Sequence, residues 1–375
     1  MGFAPEAHID HGALRHNLGV AREAARGSRI WAVVKADAYG HGILAATASL
    51  ADADGFAVAR VDEGVRLRDA AIDHPVLVLE GAFSRSEIEA ASRFGFDVVV
   101  HHYSQLDLLE KTVLSVPTRV WVKVDTGMHR LGFLPEEVPQ LRQRLSLCDN
   151  VRHPSGWLTH LANADDLQDP YTERQLARLN AVVDRHEEVS IANSAGLLGW
   201  PRTRGNWVRP GIMLYGSSPF VGESGSDRNL RPVMTLKARI LATKTLRRGE
   251  PIGYGGTYVC AEDTKIGVVG AGYGDGYPRH ATTGTPVLVA GTRVPLVGRV
   301  SMDMLTVDLG QCPNAKVGDP VTLWGEGLPV EEIACSAGTI SYELFCGITA
   351  RVDVIHRDQT WDADGMPRVR RRKLG

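Results

Sequence analysis

Paired cysteines, long apolar runs and a surplus of either charge are all missing from this chain. Its five cysteines, at positions 148, 260, 312, 335 and 346, include no C-x-x-C pair and are odd in number. That disfavours a disulfide framework and a zinc site, and fits a reducing compartment. Against 42 Lys and Arg stand 44 Asp and Glu, a formal charge of −2. Such a balance gives no electrostatic reason for a nucleic-acid or anionic-lipid partner. No apolar stretch is long enough to span a bilayer. The opening residues carry neither the basic nor the apolar segment of a secretory signal, and Glu6 stands where a myristoylation motif wants Ser or Thr. The expectation is a cytoplasmic protein with no membrane, nucleic-acid or metal partner.

Glycine is abundant. There are 40, clustered at 253–256 and 267–276, where the backbone is expected to lie close to something. At 375 residues the chain exceeds what one hydrophobic core usually serves, so two domains are expected.

From about residue 11 to 225, helix-period segments follow short β-branched runs, the pattern of βα units around a parallel sheet. The spacing predicts strands at 29–34, 55–59, 76–79, 97–100, 119–124, 156–159, 188–192 and 208–214. Ser84 with Glu87 and Thr172 with Gln175 read as capping boxes, and Pro135 suits a first helical turn. Eight strands in this length fit a closed barrel, and no G-x-G-x-x-G follows the first strand to suggest a dinucleotide fold. Near residue 228 the pattern turns strand-like, with runs at 234–246, 251–260, 265–270, 285–300, 304–309 and 320–324 and one helical stretch at 331–340. The expected fold is therefore α/β: an N-terminal (β/α)8 TIM-like barrel over 11–228 and a C-terminal mainly-β domain over 229–375, with residues 1–10 a candidate addition to the latter. The basic cluster at 368–373 reads as a solvated terminus.

Unusual polar residues gather at the barrel's predicted strand ends. Lys35 and Tyr39 follow the first strand, Lys123, Asp125 and Arg130 the fifth, His160 the sixth, Asn193 and Ser194 the seventh; Arg209, Pro210 and Gly211 lie on the eighth. Carboxyl ends of barrel strands are where such enzymes build active sites. A lysine there is placed to lose water, which lowers its pKa and makes it nucleophilic toward an aldehyde. Asn193 and Ser194 opening a helix, with the Gly211 and Ile212 backbone, offer donors for a phosphate. An aldehyde bearing a phosphate describes pyridoxal 5′-phosphate. Each residue alone has a plainer reading: Ser194 as a helix cap, His160 as a core histidine, Arg130 as a surface ion-pair partner. The glycine-rich 270–276 lacks G-K-[ST] and runs into Pro278, so it reads as a tight loop presenting Tyr273 and not as a nucleotide site.

Taken in order, VVKADAYGHG (33–42), KVDTGMHRLG (123–132), THLANAD (159–165), ANSAG (192–196), RPGIMLYG (209–216), GYGDGYPR (272–279), GRVSMDM (298–304) and SYEL (341–344) resemble the motifs of alanine racemases, a pyridoxal-phosphate family of fold type III. Leu161 stands where many relatives carry Phe, Ser301 where some carry Cys, and His129 where some carry Gly; none of these departures removes a group the reaction needs. The resemblance implies that Lys35 holds the cofactor and acts as base on one face of the substrate carbon. Tyr273, supplied by a partner subunit, is implied as base on the other face. Tyr39, Ser194, Gly211, Ile212 and Tyr342 are implied to hold the phosphate, with Asn193 beside them. Arg209 would face the pyridine nitrogen and, with His160, support the tyrosine. Arg130 and the backbone of Met302 would take the substrate carboxylate, Asp303 would line the entrance, and Lys123 matches a lysine carbamylated in some members. The implied enzyme is a homodimer, with Tyr273 and Met302 donated across its interface. It would interconvert L- and D-alanine, for peptidoglycan or for D-alanine breakdown. Rival expectations are a broader-specificity racemase, a decarboxylase on the same plan, and a non-catalytic cofactor-binding protein.

Overall fold

The structure, a computed structural model, describes residues 4–358; the basic cluster at 368–373 lies outside the described residues. Strand β1 (Glu6–Asp10) leads into the helix His11–Ala25, whose first turn is capped by the Asp10 carboxylate accepting from Ala13 N–H at 2.9 Å. Then come the barrel strands: β2 (Arg29–Val33), β3 (Gly55–Val58), β4 (Val76–Val78), β5 (Asp97–Val100), β6 (Thr118–Lys123), β7 (Val151–Leu158), β8 (Val189–Ser190) and β9 (Trp207–Val208). Each pairs in parallel with the next, and β9 returns to β2, so the sheet closes. Apart from the exposed first half of β7, these strands are covered by helices outside and by packed side chains inside the barrel, which is why most read as short β-branched runs and not as alternating ones.

Two local expectations need correction. The last predicted strand stops at Val208 and does not continue to 214: Pro210 offers no N–H to the ladder, and Ile212–Tyr215 form a 3-10 turn. Thr172 and Gln175 do not form a capping box. The helix Tyr171–Asn180 already includes Thr172; its N-cap is Pro170, and Asp169 just before it accepts from Tyr171 N–H at 2.9 Å. Gln175 instead clips the loop after β7, accepting from Ala162 N–H and donating to the His160 carbonyl at 3.0 Å. The Ser84–Glu87 box is present as read.

The amino-end rim of the barrel is tied by charge. Glu188 accepts from Arg29, Arg119 and the Trp207 indole N–H, and Trp31 stacks on Trp207 at 4.0 Å. The second region is an eight-stranded sheet built on the long strand Met234–Leu246. That strand pairs antiparallel with β1, Thr264–Val269 and Pro320–Trp324. The run at 251–260 is two short strands, Pro251–Ile252 and Tyr258–Val259, around a turn where Gly253, Gly255 and Gly256 take positive φ. The stretch at 285–300 contains a hairpin, Pro286–Val289 with Thr292–Pro295, turned at Ala290 and Gly291. The helix predicted at 331–340 is Val330–Ser336, ended near Gly338 (φ 66°). A second short helix, Ser341–Cys346, follows and lies against the loop after β2.

Candidate active site

At the carboxyl-end mouth of the barrel lies a cavity of about 620 Å³. Lys35, Tyr39, Lys123, Arg130, His160, Asn193, Ser194, Arg209, Gly211, Ile212 and Tyr342 all line it. Residues spread over more than 300 positions thus meet because each follows a barrel strand or, for Tyr342, sits on the helix Ser341–Cys346. Tyr273, Met302 and Asp303 do not line it. They sit together on the second region's surface, where Tyr273 N–H donates to the Ser301 carbonyl at 3.1 Å and Gly274 N–H to the Met302 carbonyl at 2.8 Å. Arg351 joins Asp303 at 2.7 Å and Asp275 at 3.2 Å, making the two loops one unit. Tyr273 is 39% exposed and Met302 52%.

The segment carrying Lys35 has an unusual backbone. Ala36, Asp37, Ala38 and Tyr39 hold φ between 53° and 55° and ψ between 41° and 50°, one turn of left-handed helix. For non-glycine residues this costs on the order of 1–2 kcal/mol each, so surrounding contacts must hold it. Nothing in residue periodicity announced this turn. The phenol of Tyr39 ends against Gly211, where an added Cβ would lie 2.4 Å from its oxygen; only glycine allows that approach. Ser194 Oγ accepts from Gly211 N–H at 2.9 Å, tying the eighth strand's exit to the helix Ser194–Gly199. The cap of that helix is Asn193, which accepts from Gly196 N–H at 2.9 Å, so Ser194 is left for the site.

Charge in the cavity is lopsided. Lys35, Lys123, Arg130 and Arg209 line it against one carboxylate, Glu80. Burial, with Arg209, Arg130 and Lys35 nearby, brings the Lys123 amine down to about 8. Arg209, 4% exposed, donates to Ser190 Oγ at 2.7 Å and to the carbonyls of Thr159 at 2.7 Å and Ile191 at 3.2 Å. Burial lowers it to about 10, still protonated near neutrality. Its Nη2 also lies 3.4 Å from His160 Nδ1. Burial first, and then Arg209 and Lys123, push the His160 imidazole well below its ordinary value, so it is neutral. Because Arg209 can only donate, Nδ1 is the acceptor and the ring proton sits on Nε2. Burial raises Tyr39 and carries Tyr342 up to about 12; both phenols are therefore neutral donors. Arg130 is exposed and makes no ion pair among the described residues, against its plainer reading.

The arrangement suits an anion held by neutral phenols and backbone N–H groups, beside an amine. Comparison with known proteins agrees on the chain as a whole. The model of the alanine racemase N-terminal domain matches residues 9–219, and that of the alanine racemase C-terminal domain matches 233–356. The chain belongs to the alanine racemase family. Members of this isomerase family depend on pyridoxal phosphate. Alanine racemase from Shewanella baltica is 49% identical over 94% of this chain and 99% of its own length. The protein of that name from Nitrosococcus oceani is 51% identical over the same shares. The biosynthetic alanine racemase of Pseudomonas aeruginosa superposes with a TM-score of 0.93 at 43% identity, covering 95% of this chain and 100% of that one. The enzyme of Acinetobacter baumannii gives 0.89 at 36%, covering 95% and 100%.

Sequence reasoning missed four residues that shape this alanine racemase site. Glu63, 7% exposed, accepts from Ala36 N–H at 2.8 Å and from Ala59 N–H at 2.6 Å. His41 donates from Nδ1 to the carbonyls of Ala38 and Tyr39 at 3.0 and 2.9 Å. Tyr215 stacks on Tyr39 at 4.7 Å and donates to the Val33 carbonyl at 2.9 Å. Gln175 is the clip on the His160 loop. His41 and Tyr215 stand inside quoted motifs; spacing marked Gln175 only as half of a capping box, and no spacing rule singled out Glu63.

Proposed function

We propose that this enzyme interconverts L- and D-alanine with pyridoxal 5′-phosphate at the barrel mouth, working as a cytoplasmic homodimer. The observation that carries the reading is Lys35 at the rim of a cavity whose other lining groups fit the cofactor's phosphate and the substrate's carboxylate. The donor set passes a fit test on its own chemistry. Tyr39 and Tyr342 are neutral phenols, Ser194 is tied to the Gly211 backbone, and the Tyr39–Gly211 approach leaves no room for a side chain at 211. These residues, with Asn193 and Ile212, would hold the phosphate. When bound, the cofactor supplies an electron-withdrawing ring that makes the alanine α-proton removable.

The chain's own residues do the rest. Lys35 takes or returns the α-proton on one face, and Tyr273 of a second copy does so on the other, since inversion needs bases on opposite sides. Within one chain Tyr273 is on the surface and outside the cavity, so the reading requires a partner that brings Tyr273, Met302 and Asp303 to the mouth. His160 Nε2–H is left to donate to the Tyr273 oxygen, which favours its ionised form. Arg209 stays protonated and would face the cofactor's pyridine nitrogen, where it would donate a hydrogen bond and deliver no proton. Arg130 and the Met302 backbone hold the substrate carboxylate, and Asp303 lines the approach. Lys123, as an amine near 8, is partly neutral and open to carbamylation; the resulting anion would brace Arg130.

The break near residue 228 supports two units, residues 11–228 and 229–375, with β1 in the second region's sheet. Five cysteines free of disulfides suit a reducing cytoplasm, and no helix among the described residues is long and apolar enough to cross a membrane. Supply of D-alanine for peptidoglycan, or its breakdown, are the roles this activity would serve.

The test is borohydride reduction of the purified enzyme followed by peptide mapping, and alanine turnover in deuterium oxide. A pyridoxyl group on Lys35 and α-deuteration with loss of optical rotation are expected. Label at another lysine, or retention of the α-proton, would overturn the proposal.

A further inference from the structure

The left-handed turn Ala36–Tyr39 joins two groups the proposed function needs, the Lys35 amine and the Tyr39 phenol. Its backbone is disfavoured for L-residues, so left to itself it would relax and re-aim both. Two buried side chains hold it. At its start, Glu63, from the helix Val61–Asp69, accepts from Ala36 N–H through Oε1 at 2.8 Å, while Oε2 accepts from Ala59 N–H at 2.6 Å and Arg60 N–H at 3.2 Å. One carboxylate thus bridges the exits of β2 and β3. At its end, the fully buried His41 donates its Nδ1 proton to the carbonyls of Ala38 and Tyr39. Burial lowers His41 to about 4, so the ring is neutral and that single donor is fixed. Its Nε2 is buried with no hydrogen-bond partner among the described residues, which places the ring's polar contribution at the turn. Tyr215 and Phe345 pack on the ring at 4.6 and 4.9 Å.

We infer that Glu63 and His41 are positioning residues: they clamp the left-handed turn at its two ends and so set Lys35 and Tyr39 at the separation the cofactor's aldehyde and phosphate require. This rests on the reading of Lys35 and Tyr39 as cofactor-holding residues. A glutamine at 63 has one acceptor oxygen, so in either orientation its NH2 faces a backbone N–H. A phenylalanine at 41 keeps a ring and removes the donor, whereas an asparagine offers an N–H near the place of Nδ1.

The experiment titrates the full-length enzyme with pyridoxal 5′-phosphate and, after borohydride, quantifies the pyridoxyl group on the Lys35 peptide. Alongside the wild type run Glu63→Gln, His41→Phe, His41→Asn and Glu188→Ala, the last weakening the opposite rim of the barrel. Glu63→Gln and His41→Phe are expected to raise the cofactor concentration for half-labelling about tenfold or more, because small misplacements of reacting groups cost factors of this size. Their kcat at saturating cofactor should fall about as much, with KM for alanine little moved. His41→Asn should recover most of the His41→Phe loss, and Glu188→Ala should label like the wild type. Wild-type labelling by folded Glu63→Gln and His41→Phe overturns the inference. So does equal impairment in His41→Phe and His41→Asn, or a matching loss in Glu188→Ala, which would assign the effect to general stability. A wild type with no pyridoxyl group on Lys35 instead removes the cofactor reading itself, and with it the ground for this inference.

Discussion

Nη2 of Arg209 lies 3.4 Å from Nδ1 of His160, a buried cation donating toward an imidazole that its surroundings keep neutral. This fixes the tautomer as well as the charge. The ring stays as the Nε2–H form through the physiological range, because its proton affinity is pushed well below the ordinary histidine value by burial and by Arg209. Histidine-selective 15N spectra of the wild type against His160→Gln are expected to assign that form to His160 with no change between about pH 5.5 and 8, a window in which a free histidine titrates. A shift of that resonance near pH 6.5 would remove His160 as a fixed donor.

Gly211 is a second place where geometry makes a sharp demand. A methyl group there would meet the Tyr39 oxygen at 2.4 Å. Gly211→Ala is therefore expected to displace the Tyr39 ring and weaken cofactor binding about tenfold or more, the order expected for losing a positioned contact. At φ −123° and ψ −89° the Gly211 backbone also lies outside the regions an alanine prefers, so thermal stability is expected to fall too, and cofactor affinity is measured on the folded variant. Unchanged cofactor affinity in Gly211→Ala would argue that Tyr39 does not hold the phosphate.

Acid should destabilise the protein early. His41 is depressed from 6.5 to about 4 by burial, so below pH 6.5 the unfolded chain takes up a proton that the folded chain refuses. The stability contributed by keeping this ring neutral is complete above pH 6.5. It is lost as pH falls from there toward 4, by about 3 kcal/mol at the acid end. His11, hydrogen-bonded to Ser49 at 2.6 Å and likewise brought to about 4, acts in the same sense. Urea midpoints measured across this window should fall with pH, and fall less steeply in His41→Asn than in the wild type. Equal slopes would mean that His41 is not buried in neutral form.

Subunit complementation tests whether the site is shared between two copies. Lys35→Ala and Tyr273→Phe should each be nearly inactive alone. Mixed after gentle dissociation, they form hybrid dimers in which one of the two sites has both bases, so about a quarter of wild-type activity should return for a symmetric dimer. No recovery, with hybrids shown to form, would place both bases within one chain.

Much of the barrel was legible in the linear chain. Parallel strands buried on both faces leave short β-branched runs, and polar residues just beyond them fall at the rim, so Lys35, Lys123, His160, Asn193 and Arg209 could be named before any coordinates. Errors came where a local pattern had a competing use. Thr172 looked like a cap, yet that helix starts after Pro170, with Asp169 accepting from Tyr171 N–H, and Gln175 reaches across to the His160 loop.

The sequence by itself determined which chemistry is available: an amine, phenols, guanidinium groups and an imidazole at strand ends, in an order shared with a known family. Tertiary structure alone decided how those groups behave. That Lys123 falls to about 8, that His160 is neutral, and that Glu63 and His41 hold a left-handed turn all depend on burial and on contacts between segments far apart in the chain. Tyr273 shows the same division: its identity is written in the sequence, but only the folded surface shows that it stands outside its own chain's cavity. The physical reason is range. Strand and helix patterns arise from neighbours a few residues away, whereas desolvation and hydrogen-bond partnership arise from whatever the fold brings within a few ångströms.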